Sequence, residues 1–196
     1  MSVSRAEDMF KDYNRTVVGY HGTRASTAGE IVSLKATFSP STNNDDWLGH
    51  GIYFWEHGPR NAWQWARHRY QDEEIAVIGS MIRLGNCLDL LDPENAKLLV
   101  GFHDRMVADL KAGGEKVPKN VRAKKHLDCA SIEYAINVLK AEEGALVDTV
   151  RAVYVPTSGK QRLWPSSWLY HETHIQLCVR NPECILGSWL MRESPT

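Results

Sequence analysis

An α+β fold built on a mixed β-sheet is predicted by three observations. Apolar, β-branched runs recur along the chain between segments of helical spacing, yet the two kinds do not alternate as regular β-α-β units. No Gly-x-Gly-x-x-Gly turn follows any of these runs, which argues against the doubly wound dinucleotide-binding class. The length of 196 residues, 43% apolar and 24% charged, suits a single domain over 1–196 with a buried core.

Charge and cysteine content narrow the partners. Lys+Arg 23 against Asp+Glu 24 leaves a net charge of -1, so no overall field draws the chain to nucleic acid or to an anionic membrane. Any such partner has to be held locally. Cys87, Cys129, Cys178 and Cys184 show no Cys-x-x-Cys spacing, so they are expected to be buried thiols in a reducing compartment, with no metal site. The first thirteen residues are polar and lack the apolar stretch of a secretory leader, and a cytoplasmic location is expected.

Taken in order, residues 4–13 read as a short helix, with Ser4 as N-cap, Glu7 three residues on, and Met9 and Phe10 as apolar contacts. Residues 16–21, β-branched at Thr16, Val17 and Val18, read as a strand that Gly22 breaks. A helix over 26–33 turns Ile31 and Val32 inward, and 38–46, with Pro40, Asn43, Asn44, Asp45 and Asp46, is a loop of turn formers. Trp47 and Leu48 lead into a strand over 49–55. Gly58-Pro59 introduces a helix over 61–70 whose Ala62, Trp65 and Ala66 form one stripe. Residues 75–84 and 87–91 are strands by their β propensity.

Asp92 and Pro93 start a long helix, Leu99, Phe102, Met106 and Leu110 continue it, and Gly113-Gly114 stop it. After a loop over 115–125, Leu127, Ala130, Tyr134 and Val138 mark a second long helix over 126–143. The pair reads as a helical elaboration spanning 92–145. Strands over 149–155, 173–180 and 184–191 follow, and the first two are separated by a connection over 156–170 rich in Ser, Trp and basic residues. Loops of that length are more often functional than idle.

Two short pieces stand out: Tyr20-His21-Gly22-Thr23-Arg24 and Gly49-His50-Gly51-Ile52-Tyr53-Phe54-Trp55. Each sets glycine against a strand, where a backbone can approach a ligand closely, with a polar or aromatic side chain beside it. Read singly, His21 is an ordinary structural histidine and Tyr53 a core aromatic. Trp63 and Trp65 are aromatic surface on one helix, at least one of them core. Read in order, and followed by Asn61-Ala62-Trp63-Gln64-Trp65-Ala66, the blocks resemble the NAD-binding core of the ADP-ribosyltransferase fold. The similarity is to its His-Tyr-Glu branch, which contains the diphtheria-type toxins and the poly-ADP-ribose polymerases.

That resemblance implies a split mixed and antiparallel sheet with flanking helices, and NAD as a substrate without a metal. Cleavage at the nicotinamide ribose draws the sugar toward an oxocarbenium-like state, so the site must hold nicotinamide flat and stabilise positive charge. Tyr53 would stack on the cationic ring, a contact worth about 1 kcal/mol or more when desolvated. Gly22, with Thr23 beside it, would offer backbone groups to the carboxamide; His21 would bond a ribose hydroxyl, Asn61 would touch the carboxamide, and Trp65 or Trp63 would close the other face. The family's catalytic glutamate corresponds to Gln176, a departure from the pattern. Glutamine bonds a hydroxyl but brings no charge, and the lost contact is worth about 3 kcal/mol, roughly a hundredfold in rate. Strand alternation places Glu172, His174 and Gln176 on one face, so Glu172 is a second candidate to supply the charge or act as base. Transfer of a single ADP-ribose is expected rather than polymerisation.

The acceptor follows from a narrower likeness. The chain resembles the toxin arms of bacterial toxin–antitoxin and phage-defence systems, notably those of toxin–antitoxin–chaperone loci that modify messenger RNA. This implies an RNA acceptor and a neutralising antitoxin protein as partner. Lys160, Arg162, Trp164 and Trp168, with His174, would contact phosphate and stack on an unpaired base. The basic run Lys116, Lys119, Arg122, Lys124 and Lys125 reads equally as a solvated loop or as a phosphate-tracking patch. A protein acceptor is the alternative, as is a catalytically silent domain that senses NAD or ADP-ribose. A purely structural interaction module would leave the glycine-flanked blocks unexplained.

Overall fold

The computed structural model describes residues 15–155 and 162–191, so the helix expected over 4–13 and Lys160 lie outside the described residues. The elements run β1 (Thr16–Arg24), α1 (Ala25–Val32), β2 (Ile52–Glu56), α2 (Pro59–Arg69), β3 (Ile75–Arg83), β4 (Cys87–Asp89) and α3 (Pro93–Ala112). A small hairpin, β5 (Asn120–Val121) and β6 (Lys124–Lys125), precedes α4 (His126–Glu143), and β7 (Thr149–Tyr154), β8 (His174–Val179) and β9 (Ile185–Leu190) complete the chain. The main sheet has seven strands in the order β4-β7-β8-β2-β1-β3-β9. Only β4 and β7 pair in parallel, so the architecture is α+β with a mixed, largely antiparallel sheet, as predicted.

The long helices form where local chemistry allows. The Asp92 carboxylate accepts from the Glu94 N–H at 2.9 Å and caps α3, Pro93 occupies its first turn, and Gly114 follows its end at a φ of 71°. α4 has no cap of its own. Asn120 supplies one from the hairpin, its Oδ1 accepting from Leu127 N at 2.9 Å and Asp128 N at 3.3 Å, and Gly144 ends the helix at a φ of 65°. The stretch expected as loop over 115–125 therefore contains an ordered turn with a structural task. No helix among the described residues is long and apolar enough to cross a membrane.

The sheet separates two layers. On one face α3 and α4 bury Phe102, Ile132, Ile136 and Leu139 against Leu88, Val150 and Cys178, and α2 lays Ala62 beside Trp55 and Val77. On the other, Ile52, Phe54, Ile82, Leu84, Leu177 and Val179 pack together, and α1 covers Ile78 with Ala28 and Ile31. All four cysteines are buried and unpaired. Charge is buried too. The Arg151 guanidinium, 10% exposed, bonds Glu56 through Nε at 2.6 Å and Nη2 at 2.7 Å, and Asp89 through Nη1 at 3.0 Å. It reaches across β8 from β7 to β2 and ties three strands, β4, β7 and β2, together.

Two expectations change at strand ends. The strand predicted over 87–91 stops at Asp89, whose carboxylate turns back to accept from Leu91 N at 3.1 Å. The break predicted at Gly22 does not occur: β3 pairs with β1 from Thr16 to Arg24 and carries the ladder through. The glycine serves packing instead. A Cβ there would lie 2.3 Å from the Ala62 carbonyl oxygen and 3.0 Å from Ala66 Cβ, so its absence lets α2 rest directly on the strand. Gly22→Ala is expected to lower stability by about 1–3 kcal/mol, the usual range for overpacking. Gly29→Ala, inside α1 with nothing within 4 Å, is expected to raise it by about 0.5–1 kcal/mol. Urea unfolding of both variants checks the contrast.

β1 and β2 part company. Their pairing covers only Gly19 with Glu56 and Tyr20 with Trp55, whereas β2 pairs with β8 along its whole length. The Val18 carbonyl accepts from His57 N at 2.9 Å, and ladder alternation then turns the backbone groups of Tyr20 and Gly22 toward β2. Beyond Tyr20 the strand is gone from that side. The sheet is split there, with the Gly22 N–H and C=O directed into the gap.

Candidate active site

The split opens into a cleft of about 630 Å³. Its walls are the diverging ends of β1 and β2, the end of α2, β8 at Gln176, and the loop between α1 and β2. His21, Thr23, Tyr53, Trp65 and Gln176, five of the residues singled out from the sequence, line it together.

His21 bridges the gap. Its Nδ1 lies 2.8 Å from the Tyr53 carbonyl oxygen, and because a carbonyl only accepts, Nδ1 carries the proton. The ring sits 5.4 Å from Phe38 and 5.6 Å from Phe54, centroid to centroid. Burial lowers its pKa below the ordinary 6.5, against the opposing pull of the Tyr53 carbonyl, so the imidazole is neutral at pH 7. Its Nε2 is therefore a hydrogen-bond acceptor.

Tyr53 combines two tasks. Its ring borders the cleft, while its hydroxyl accepts from Leu48 N at 2.9 Å and donates to the Gly49 carbonyl at 2.8 Å. The loop is thereby stapled to β2, and burial pushes the phenol pKa well above its usual range. A second clamp holds the loop from behind. Glu133 of α4 accepts from His50 N at 2.8 Å and from Arg180, whose Nη1 also donates to the His50 carbonyl at 2.8 Å. Burial would raise the Glu133 carboxyl, but the bonds from Arg180 and His50 outweigh it and its pKa falls below 4.5.

Gln176 faces the cleft from β8, beside Trp55 and Ala152 in register. Its Oε1 accepts from the Trp47 indole Nε1 at 2.6 Å. An indole N–H only donates, so the amide orientation is set and the NH₂ is the part left over.

The two ends of the cleft differ in charge. Arg24, Arg69, Tyr70 and Trp65 form one end; Arg24 lies 4.6 Å over the Tyr70 ring and pairs with Glu73, and the Trp65 and Tyr70 centroids are 5.9 Å apart. Asp45, Asp46 and Trp47 form the other, next to Tyr53 and Gln176. Of these, Arg24, Arg69, Tyr70, Asp45, Asp46 and Trp47 were not candidates from the sequence. Trp47 and the adjoining acidic pair stand directly before the Gly49-His50-Gly51 block, and that adjacency was the available signal.

Several candidates sit elsewhere. Glu172 is not on a strand with Gln176: β8 begins at His174, and Glu172 occupies the exposed turn before it, its carbonyl accepting from His174 Nδ1 at 2.6 Å. That local bond closes the turn ahead of β8, and Glu172 is not among the residues that line the cleft. His174 stacks on Tyr154 at 4.9 Å and has its Nε2 buried without a partner, outside the cleft. Asn61 lies at the start of α2 against Gly58, and Trp63 packs with Trp55, Ala62 and Val77 in the core. Arg162 donates to the Ser167 carbonyl and lies 5.2 Å from the Tyr170 ring. Trp164 and Trp168 are 57% and 89% exposed on that same loop. Among the described residues no group of three or more His, Cys, Asp or Glu is arranged to hold a metal ion.

The histidines give a pH dependence. Burial lowers the pKa of both His21 and His174 from 6.5, so the unfolded chain takes up protons first as the pH falls. Stability is expected to decline as the pH drops below 6.5 and to level off once the folded-state values are passed. Glu133 adds a separate loss below 4.5. Thermal melts across this range, compared with His21→Asn, check the histidine share: the variant's melting temperature should fall less between pH 7 and 5.

No protein-family model matches the chain, and no solved structure matches it. It is 27% identical over 183 residues to an uncharacterized protein of Methanocaldococcus jannaschii, an alignment covering 85% of this chain and 83% of that protein.

Proposed function

We propose that the chain has an ADP-ribosyltransferase-like sheet and is an NAD-dependent mono-ADP-ribosyltransferase, with the split between β1 and β2 as its NAD cleft. The observation that carries this reading is the gap itself, spanned by the His21 bond to the Tyr53 carbonyl and lined by His21, Thr23, Tyr53 and Gln176 together. The Gly22 backbone, on the side of β1 that β2 leaves beyond Tyr20, would offer a carboxamide one donor and one acceptor side by side. The Nε2 of neutral His21 suits a ribose hydroxyl. The charge distribution also matches: NAD is positive at nicotinamide and negative at its pyrophosphate, while Asp45 and Asp46 line one end and Arg69, with the Arg24–Glu73 pair, the other. Those two aspartates, rather than Glu172, are the carboxylates available to offset positive charge on the ribose.

The acceptor in this reading is RNA, modified by a toxin that acts in phage defence, in the cytoplasm, under the control of a neutralising antitoxin. Support for RNA comes from the likeness to messenger-RNA-modifying toxins, from exposed Trp164 and Trp168 with Arg162, and from the basic hairpin. Among the described residues none of Lys116, Lys119, Arg122, Lys124 and Lys125 makes an ion pair, which leaves their charge available to phosphate. A protein acceptor is the alternative. A sensor of NAD or ADP-ribose is favoured by one feature: Gln176 turns an amide NH₂, not a carboxylate, to the cleft.

The test is incubation of the purified protein with labelled NAD and, in separate tubes, RNA, DNA and cell protein. Label is expected in RNA, and Tyr53→Ala is expected to lower both labelling and nicotinamide release about tenfold or more, since it removes the stacking face and the loop staple together. Label in protein alone moves the acceptor. NAD bound but neither cleaved nor transferred establishes the sensor.

A further inference from the structure

Trp47 was no candidate by sequence, yet it touches the one cleft residue whose identity departs from the ADP-ribosyltransferase pattern. Its indole N–H meets Gln176 Oε1 at 2.6 Å across the mouth of the split. The indole is itself fixed. Its ring stands edge-on to Tyr154 at 6.0 Å, and the two residues that follow it are held by the Tyr53 hydroxyl. Both Trp47 and Gln176 line the cleft, so the contact is part of its wall.

We propose that Trp47 is the positioning residue of the cleft, holding the Gln176 carbonyl oxygen so that the amide NH₂ alone meets the bound ribose. The inference rests on the NAD reading above. A free glutamine offers either end of its amide; a glutamine held by an indole has its oxygen turned to the indole and its two N–H donors turned away from it. The substrate atom it meets must bring a lone pair, which a ribose hydroxyl oxygen does. The indole thus sets which partner the residue accepts.

Trp47→Phe keeps an aromatic ring and removes the N–H. It is expected to lower kcat for nicotinamide release about tenfold, the size of one lost hydrogen bond, with KM for NAD changed less than about twofold. The decisive comparison is the cycle with Gln176→Ala. If the indole acts only through the amide, the double variant is no slower than Gln176→Ala alone. A second readout does not depend on turnover: the Trp47 indole ¹H–¹⁵N resonance is expected to move upfield in Gln176→Ala and to stay in place in Gln176→Glu, where a carboxylate accepts the same bond. Losses that multiply in the double variant, or an indole resonance indifferent to Gln176→Ala, overturn the inference while an active wild type leaves the transferase reading standing. A wild type that neither binds NAD nor releases nicotinamide overturns both.

Discussion

Arg151→Met is expected to lower the unfolding free energy by about 3–5 kcal/mol, because it strands the buried Glu56 carboxylate and takes from buried Asp89 its nearest cation. Glu56 and Asp89 are 6% and 3% exposed, and Arg151 supplies the bidentate contact to the first and the nearest contact to the second. Arg15, 3.3 Å from Asp89 and 57% exposed, would remain for Asp89. A loss of this size consumes much of the 5–15 kcal/mol that holds a typical domain together. Pairing the change with Glu56→Gln should recover part of it, since the second substitution removes the charge the first one strands. Urea titrations of wild type, single and double variants decide the matter. A single variant within about 1 kcal/mol of wild type would mean that water or rearrangement reaches Glu56, contrary to its burial.

On the NAD-cleaving reading proposed above, Gln176→Glu is expected to raise nicotinamide release about a hundredfold. Positive charge developing on the ribose finds no charged group from β8 in the wild type, and a carboxylate there is worth about 3 kcal/mol to the transition state. Trp47 would donate to one carboxylate oxygen as it now does to the amide, leaving the other for the substrate. The gain should appear in kcat, with KM for NAD little changed, because the ground state carries its charge on nicotinamide and not on the sugar. An unchanged rate would shift the charge-stabilising task to Asp45 and Asp46, and Asp46→Asn would then be the variant that loses activity.

Local order was legible in the residues themselves. The helix over 126–143 was bounded correctly because its apolar stripe, its start after a basic run and Gly144 at its end all act within a few residues. Most strands were found for the same reason, their β-branched runs being bounded by turn formers. What the sequence did not disclose was contact between distant residues. Trp47 and Gln176 are 129 positions apart, and Glu56 and Arg151 are 95 apart, so no window along the chain holds both partners. Gly22 illustrates the limit from the other side. Its lack of a side chain was legible as a close approach, but that helix α2 makes one such approach was not. Glu172 lies outside the strand because β8 starts at His174, one residue later than expected, where the His174 contact to the Glu172 carbonyl closes the turn.

The strand order has a consequence for how the protein comes into being. β2 carries Tyr53, yet β8, its main partner, is translated long after it, and until then β2 is tied to β1 by two residue pairs. Because long-range pairing must await the distant segment, a chain still emerging from the ribosome holds one side of the split and lacks the other. On the reading proposed above, such a chain cannot consume NAD however well its first half is folded. The cell meets the activity only when residues 174–179 have slotted between β2 and β7, all at once rather than by degrees.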